Sequence, residues 1–437
     1  MASTWIKRDL SVSETVYKYT WSAWIKRGSL GVAGDLFKTR ADSNNWVQAY
    51  LHADNSMVLQ SYKNGGYHYD FKTTQKFRDT TCWYHFVFNV DSSQSTAGDR
   101  VRMYVNGERI TAFDTSNNNL TNGDSLIING SDSGQAHTIG SWNNGSYFDG
   151  CMSHVHYSSG YSYAPTVFGE TDATTGEWKI NTNPTFTLGG NGYTVLKDGN
   201  TITDQSSNSN DFTVGGGTLT KTEDCPSNVF PTLNPLLTHA AHGYSLTIGL
   251  GNNKITFNEP STWTYSTSTI AGINGKFYAE FKVDAVGSEA SIGVIASDTV
   301  NVNQTSGGLD DYLGKETDSI GYFNDGRIYN NNSQGQTGLT SFTSGTIVGV
   351  AMDLDNNTVQ FYNNGSTVGN TVSISADKFY HFGVSGYNST QISCNFGNGY
   401  FGTTAVSSAG TNASGIGIFE FDVPTNYRAL STKGLNL

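Results

Sequence analysis

Glu420 and Asp422 in EFDVP (420–424) occupy alternate positions, so on a strand both carboxylates share one face. Two acids so placed can act as nucleophile and proton donor in glycoside hydrolysis. Pro424 stands where a third alternate carboxylate would fall, and the stretch lies beyond the last long run of strand-like sequence. No catalytic residue is assigned, and an enzyme is not expected. His154 and His156 also alternate, as two imidazole ligands would, and in a trimer they could surround an axial metal. The preferred reading is a surface strand carrying two polar residues. His239 and His242 in LTHAAHGY have no Cys or Glu nearby for a zinc site, and VGGGT lacks the GK[ST] of a phosphate loop. Neither a metal nor a cofactor is assigned. A sugar fits the residues better: SWNNGSYFDG (141–150) puts Trp142, Asn143, Asn144 and Tyr147 in one loop, rings for the apolar side of a pyranose and amides for its hydroxyls. The plainer reading makes Trp142 a core residue at a sheet edge.

The elements that would position these residues are strands. Aromatic residues make up 13% of the chain and charged ones only 14%, too few for long solvent-facing helices, while 50 Gly and 7 Pro among 437 residues favour short strands and tight turns. VRMYVNGERI (101–110) and VQFYNNGSTV (359–368) are near copies: alternating large and polar residues around Asn106-Gly107 and Asn364-Gly365, the pairs that a two-residue type I′ hairpin demands. Each follows an alternating run, CWYHFVFNVD (82–91) or GTIVGVAMDLD (345–355), so the repeated unit is a three-stranded meander. Further strands are expected over 16–27, 46–53, 56–62, 136–142 and 148–158, then over 275–284, 290–297, 319–331, 379–387 and 392–398. The spacing predicts two antiparallel β-sandwiches in tandem.

The chain carries a net charge of −12 with no run of Lys or Arg, so nucleic acid is not an expected partner. No apolar stretch is long enough to span a membrane, so no insertion is expected. The N-terminus is charged from Lys7 onward and does not resemble a secretory signal, which predicts synthesis in a cytoplasm. Cys82, Cys151, Cys225 and Cys394 are dispersed and read as small hydrophobes. Many Asn-x-Ser/Thr triplets, among them Asn144-Gly145-Ser146 and Asn388-Ser389-Thr390, favour a bacterial or viral source over a eukaryotic secretory one.

WYHFVFNVD, VRMYVNGERI, IGSW and YFDGCMSHVHY together resemble the laminin G-like, concanavalin A-like lectin/glucanase sandwich, with Phe148, Gly150, Met152 and Val155 at the positions of its F-x-G-x-hydrophobic strand. Where that family often has an Asp-Glu pair, this chain has Ser153 and His154, so roles tied to those acids do not carry over. GKFYAEFKV, SIGYFNDGRIYNN and VGVAMDLDNNTVQFYNNG, over roughly 275–400, resemble a SPRY domain. The resemblance implies a partner surface on the SPRY loops, at Tyr322, Asn324, Asp325 and Arg327. NDG is also an ordinary turn sequence.

The expected organisation is a laminin G-like sandwich over 1–164, a Gly/Pro-rich connector over 165–245 that sets the pose of the two lobes, a SPRY-like sandwich over 246–405 and a tail over 406–437. ITDQSSNSNDFTV, DCPSNVFPTLNPL and FEFDVPTNYRALSTKGLNL are similar to segments of marine bacteriophage structural proteins, generally taken to be tail fibres or other virion appendages. That resemblance implies a virion structural protein (tail fibre, head fibre or knob, or capsid decoration) on the virion surface, bound to other virion proteins in a homo-oligomer such as a trimer and touching host-surface glycan. A soluble lectin is the alternative, and a glycoside hydrolase on the same fold the third.

Overall fold

The computed structural model describes residues 3–10, 14–130, 135–141, 145–197, 201–237, 245–300 and 312–436. Two compact units divide the chain, residues 1–221 and 222–437. Each is a pair of facing antiparallel sheets, as the alternating patterns predict.

In the first unit the larger sheet has eight strands in the order Phe113–Asn118, Gly66–Lys76, Ser56–Lys63, Asn45–Leu51, Gly34–Asp42, Ala136–Ile139, Trp5–Asp9 and Thr213–Gly216. The smaller has six: Tyr193–Val195, Gly150–Ser159, Lys18–Arg27, Tyr84–Asp91, Val101–Val105 and Glu108–Arg109. Rings from the two inner faces fill the space between them. Trp21 stacks on Phe88 at 5.4 Å and meets Phe37 of the other sheet at 5.9 Å, and the Tyr19 and Tyr69 hydroxyls are bonded across the core at 2.7 Å.

The second unit repeats the plan. One sheet runs Leu246–Gly249, Lys254–Phe257, Thr390–Asn395, Lys276–Ala285, Ile347–Asp353, Thr358–Asn363 and Ser366–Ser373, and the other Thr264–Thr267, Tyr380–Gly386, Ala290–Ala296, Ser319–Phe323, Ile328–Asn330 and Ser333–Gln336. Phe281, Phe382 and Phe396 meet in its core.

Both hairpins are built as the sequence predicts. Asn106 and Gly107 have φ of 47° and 84°, Asn364 and Gly365 of 48° and 80°, the paired positive angles of a type I′ turn. The flanking residues are in the matching register, Val105 opposite Glu108 and Asn363 opposite Ser366.

The connector and tail are a correction. The unit boundary falls between Lys221 and Thr222, inside the expected connector. Its first part completes the first sandwich: Tyr193–Val195 and Thr213–Gly216 are edge strands. The loop GGNG (189–192) and the segment 204–211 interlock, Asn208 donating to the carbonyls of Gly189 (2.6 Å) and Gly192 (2.9 Å) and Asn210 to those of Gly190 (3.0 Å) and Gly192 (2.8 Å). Asp204 binds the amides of Thr194, Ser206 and Asn210. A polar, glycine-rich sequence reads as a linker, but here its amides find partners in each other's backbone. The proline-bearing part packs on the second unit, where Phe230 and Leu233 are buried. The expected tail belongs to that unit too: Arg428–Ala429 lies parallel to Phe277–Tyr278, and Ile416, Phe419 and Ala429 form a cluster with Phe230, Tyr278 and Ala351.

Candidate functional site

The loop expected to meet a sugar, 141–150, borders a recess of the first sandwich. Trp142, Asn143 and Asn144 fall outside the described residues, whereas Tyr147 is half-buried on the wall of a shallow recess lined also by Arg27, Ser29, Val32, Leu51 and Asp149. Backbone bonds seat the loop: the Asp35 amide donates to the Ser146 carbonyl, Gly28 to Asp149 and Phe148 to Gly140, each at 2.8 Å. Gly34 is required because a Cβ there would come within 3.0 Å of the Phe148 backbone, and Gly150 because its Cβ would strike the Lys26 carbonyl at 2.1 Å. The F-x-G signature thus records how closely this strand passes its neighbour.

Arg27 organises the floor of the recess. Its guanidinium donates to Asn55 (2.9 Å) and to the carbonyls of Phe77 (2.6 Å) and Ser29 (2.9 Å), and burial lowers its pKa. Ser29 donates to the Asp149 carboxylate. The empty volume of ≈ 200 Å³, part of it open to solvent, is below the usual range for enclosing a small molecule. The recess can hold the edge of a polar ligand against Val32 and Tyr147. Arg27, Ser29 and Asp149 escaped the sequence reading; the close-packed Gly28 and Gly34 around them were the available signal.

His154 and His156 are not on a surface strand, as the preferred reading had it. Both are buried, because the segment 161–187 covers the outer face of the six-stranded sheet. His156 stacks on Phe168 at 5.5 Å and bonds Thr194 through Nδ1 at 2.9 Å, while His154 bonds Ser153 at 2.7 Å. Under the same cover His85 lies between the Trp24 and Trp178 rings, 4.8 and 5.9 Å away, bonding Ser22 at 2.8 Å and accepting or sharing the Trp178 indole N–H at 3.0 Å. Burial pushes His85 down to about 3 and His156 well below the ordinary range, so both are neutral. Among the described residues no three His, Cys, Asp or Glu side chains converge as a metal site; His239 and His242 lie outside those residues.

In the second unit the four partner-surface residues separate. Tyr322 is a core residue, fully buried with its hydroxyl on the Thr340 carbonyl, so it offers nothing to a partner. Asn324 ties its own turn to the neighbouring strand, its side chain accepting from the Ala290 amide at 2.9 Å. Asp325 is exposed and paired with Arg327, whose guanidinium also reaches Glu289 (3.1 Å) and lies over Phe323 (5.5 Å) and Tyr329 (5.4 Å). Glu420 and Asp422 hold their own segment together: Glu420 accepts from the Ser407 amide at 2.7 Å and Asp422 from the Thr411 amide and hydroxyl at 2.7 Å each.

A two-sandwich protein with a loop-end recess is the class that fold and site define. Residues 4–167 match the family model described as the concanavalin A-like lectin/glucanases superfamily, and residues 276–399 match that of the SPRY domain. The chain therefore carries one domain of each kind, in the order that the motifs indicate. Among solved structures it is similar to the SPRY domain of human HERC1 (18% identity, 32% of this chain and 87% of that one, TM-score 0.26). It is also similar to a second human SPRY domain (17%, 34% and 93%, 0.27) and to the heptameric SAP-like pentraxin of Limulus polyphemus (16%, 36% and 70%, 0.27). Likenesses this faint carry no argument about function. No curated protein matches the chain. Among the described residues no helix is long and apolar enough to cross a membrane.

Proposed function

We propose that this chain is a non-enzymatic structural protein of a bacteriophage virion, a tail fibre, head fibre or knob, or capsid decoration, that meets host-surface glycan. It is made in the bacterial host cytoplasm and ends on the virion surface, in a homo-oligomer packed against other virion proteins. One observation carries most weight: the three segments similar to phage appendage proteins, starting at Ile202, Asp224 and Phe419, are folded into the sandwiches as plugs and covers. The similarity thus extends through the parts that turn two binding modules into closed blocks, which suits a packed assembly. The engagement of Glu420 and Asp422 with their own loop supports a non-catalytic reading. Negative-stain imaging of purified particles with a gold-labelled antibody against this chain tests it. Label at a fixed place on the particle is expected; particles without the antigen overturn it and leave the soluble lectin.

A further inference from the structure

Asn-Gly pairs recur along the chain, and three of them close two-residue hairpins of one geometry: Asn64-Gly65 between Lys63 and Gly66, then Asn106-Gly107 and Asn364-Gly365. Asn64 and Gly65 have φ of 52° and 83°, matching the other two turns. Their surroundings differ. The Asn106 side chain accepts the His85 amide through Oδ1 at 2.8 Å while its backbone N–H donates to the His85 carbonyl at 2.9 Å, and Asn364 is clamped in the same way by Ile347, at 2.9 Å for both bonds. Trp178 lies against Gly107 and Phe421 against Gly365. At the third turn Asn64 and Gly65 are exposed, and nothing lies within 4 Å of where a Cβ on Gly65 would sit. Among the described residues the Asn64 carboxamide has no hydrogen-bond partner; its backbone N–H alone is engaged, by Asn45 Oδ1 at 3.2 Å.

From this contrast we infer that Asn64 is a site of spontaneous covalent modification, converting to isoaspartate and aspartate in the folded protein. The chemistry needs a carboxamide free to turn toward the next backbone nitrogen and a next residue with no side chain in the way. The Gly65 nitrogen attacks Asn64 Cγ, the new N–C bond closes a five-membered succinimide, and the Cγ–Nδ2 bond breaks, Nδ2 leaving as ammonia with the proton that Gly65 gives up. Water then opens the ring and leaves a carboxylate: attack at Cγ yields aspartate, and attack at the backbone carbonyl routes the main chain through Cγ as isoaspartate. In the two clamped turns the Asn side chain must first break its bond to the neighbouring strand, a local opening that holds the rate down. The other described pairs are restrained differently. Asn129, Asn191 and Asn398 are buried, while the attacking nitrogen of Gly123 donates to the Ser92 carbonyl at 2.9 Å and that of Gly275 to the Asp355 carboxylate at 2.7 Å. The product gives the hairpin that joins Ser56–Lys63 to Gly66–Lys76 a new negative charge and, as isoaspartate, a longer main chain.

Peptide mapping of the full chain tests this. The protein is held in mildly alkaline buffer made with heavy-oxygen water, folded or in urea, so that conversion before digestion carries the label, and each Asn-Gly peptide is followed by mass spectrometry. In the folded chain Asn64 is expected to convert within about threefold of its own rate in urea, whereas Asn106 and Asn364 are slowed about tenfold or more. Comparing each site with itself cancels the effect of the preceding residue. Isoaspartate in the Asn64 peptide, read as methyl uptake from an isoaspartyl methyltransferase, should accompany the label, and both should vanish in Asn64→Gln, whose six-membered ring closes far more slowly. Equal slowing at all three turns overturns the inference. So does faster conversion of Asn122 or Asn274 than of Asn64 in the folded chain, and so does label at position 64 without isoaspartate.

Discussion

Residues 161–187 lie over three imidazoles, His85, His154 and His156; residues 416–430 lie over one carboxylate, Glu280. Both covers do the same mechanical work. Each sets an aromatic ring on the Asn-Gly turn of its hairpin: a Cβ on Gly107 would sit 2.5 Å from Trp178, and one on Gly365 would sit 2.7 Å from Phe421. The difference is electrostatic. The His85 and His156 imidazoles are held neutral by burial, whereas Glu280 accepts the amides of Glu420 (2.7 Å) and Phe421 (2.9 Å) and is pushed up to about 7 by burial despite them. The same two-sheet architecture is thus closed twice by the same device, with opposite responses to pH.

The largest effect that tests the shared device is on the two turns. Gly107→Val and Gly365→Val should each cost about 3 kcal/mol, part from a β-branched residue at positive φ and part from displacing the ring above. Urea denaturation measures it. In the Trp178→Ala and Phe421→Ala backgrounds the glycine substitutions should cost about half as much, because only the backbone strain remains. Equal costs in both backgrounds would show that the rings do not bear on the turns.

Much of this was legible. The hairpins and the meanders follow from period-two alternation and two Asn-Gly pairs, and the order of the two domains from the family resemblance. Strands Gly34–Asp42 and Gly66–Lys76 were not anticipated, because the pairing skips Leu36 in the first and His68 in the second, which breaks the alternation that would announce them. The shift between Ser153 and His156 likewise hid how the histidines are placed. The covers were read as connector and tail since Gly, Asn and Ser carry no periodic signal; their bonds run to distant backbone that no local pattern names. Of the candidate sites, Tyr147 faces a recess, whereas Tyr322, read as surface, is core. An NDG turn marks where the chain reverses and says nothing about which flanking ring points inward.

The second test separates the covers by pH. Glu280 has its folded pKa raised from 4.5 to about 7, so the native state keeps a proton that the unfolded chain has released across this window. Its stability contribution is present below pH 4.5 and lost as pH rises towards 7, by about 3 kcal/mol. Glu280→Gln should flatten that slope, read as the difference between the two proteins in urea midpoints at pH 4.5, 6 and 8. His381, lowered by burial in the same unit, works in the opposite sense but is common to both proteins and cancels. A variant with an unchanged slope would mean that the carboxylate is hydrated in solution and the cover open above it.

The smallest effect runs the other way in the first unit. His85 has its folded pKa lowered from 6.5 to about 3, so between these values the unfolded chain binds a proton that the native state refuses. Its contribution is complete above pH 6.5 and lost as pH falls, by about 2 kcal/mol at pH 5. His85→Gln should remove that share and leave the parts due to His137 and His156, also lowered, and to Asp35, which burial pushes up to about 6 and which opposes them. Tryptophan fluorescence isolates this unit, since seven of the eight tryptophans precede residue 222. If His85→Gln keeps the wild-type acid sensitivity, the imidazole is reached by water between the Trp24 and Trp178 rings, and the two covers differ in tightness as well as in charge.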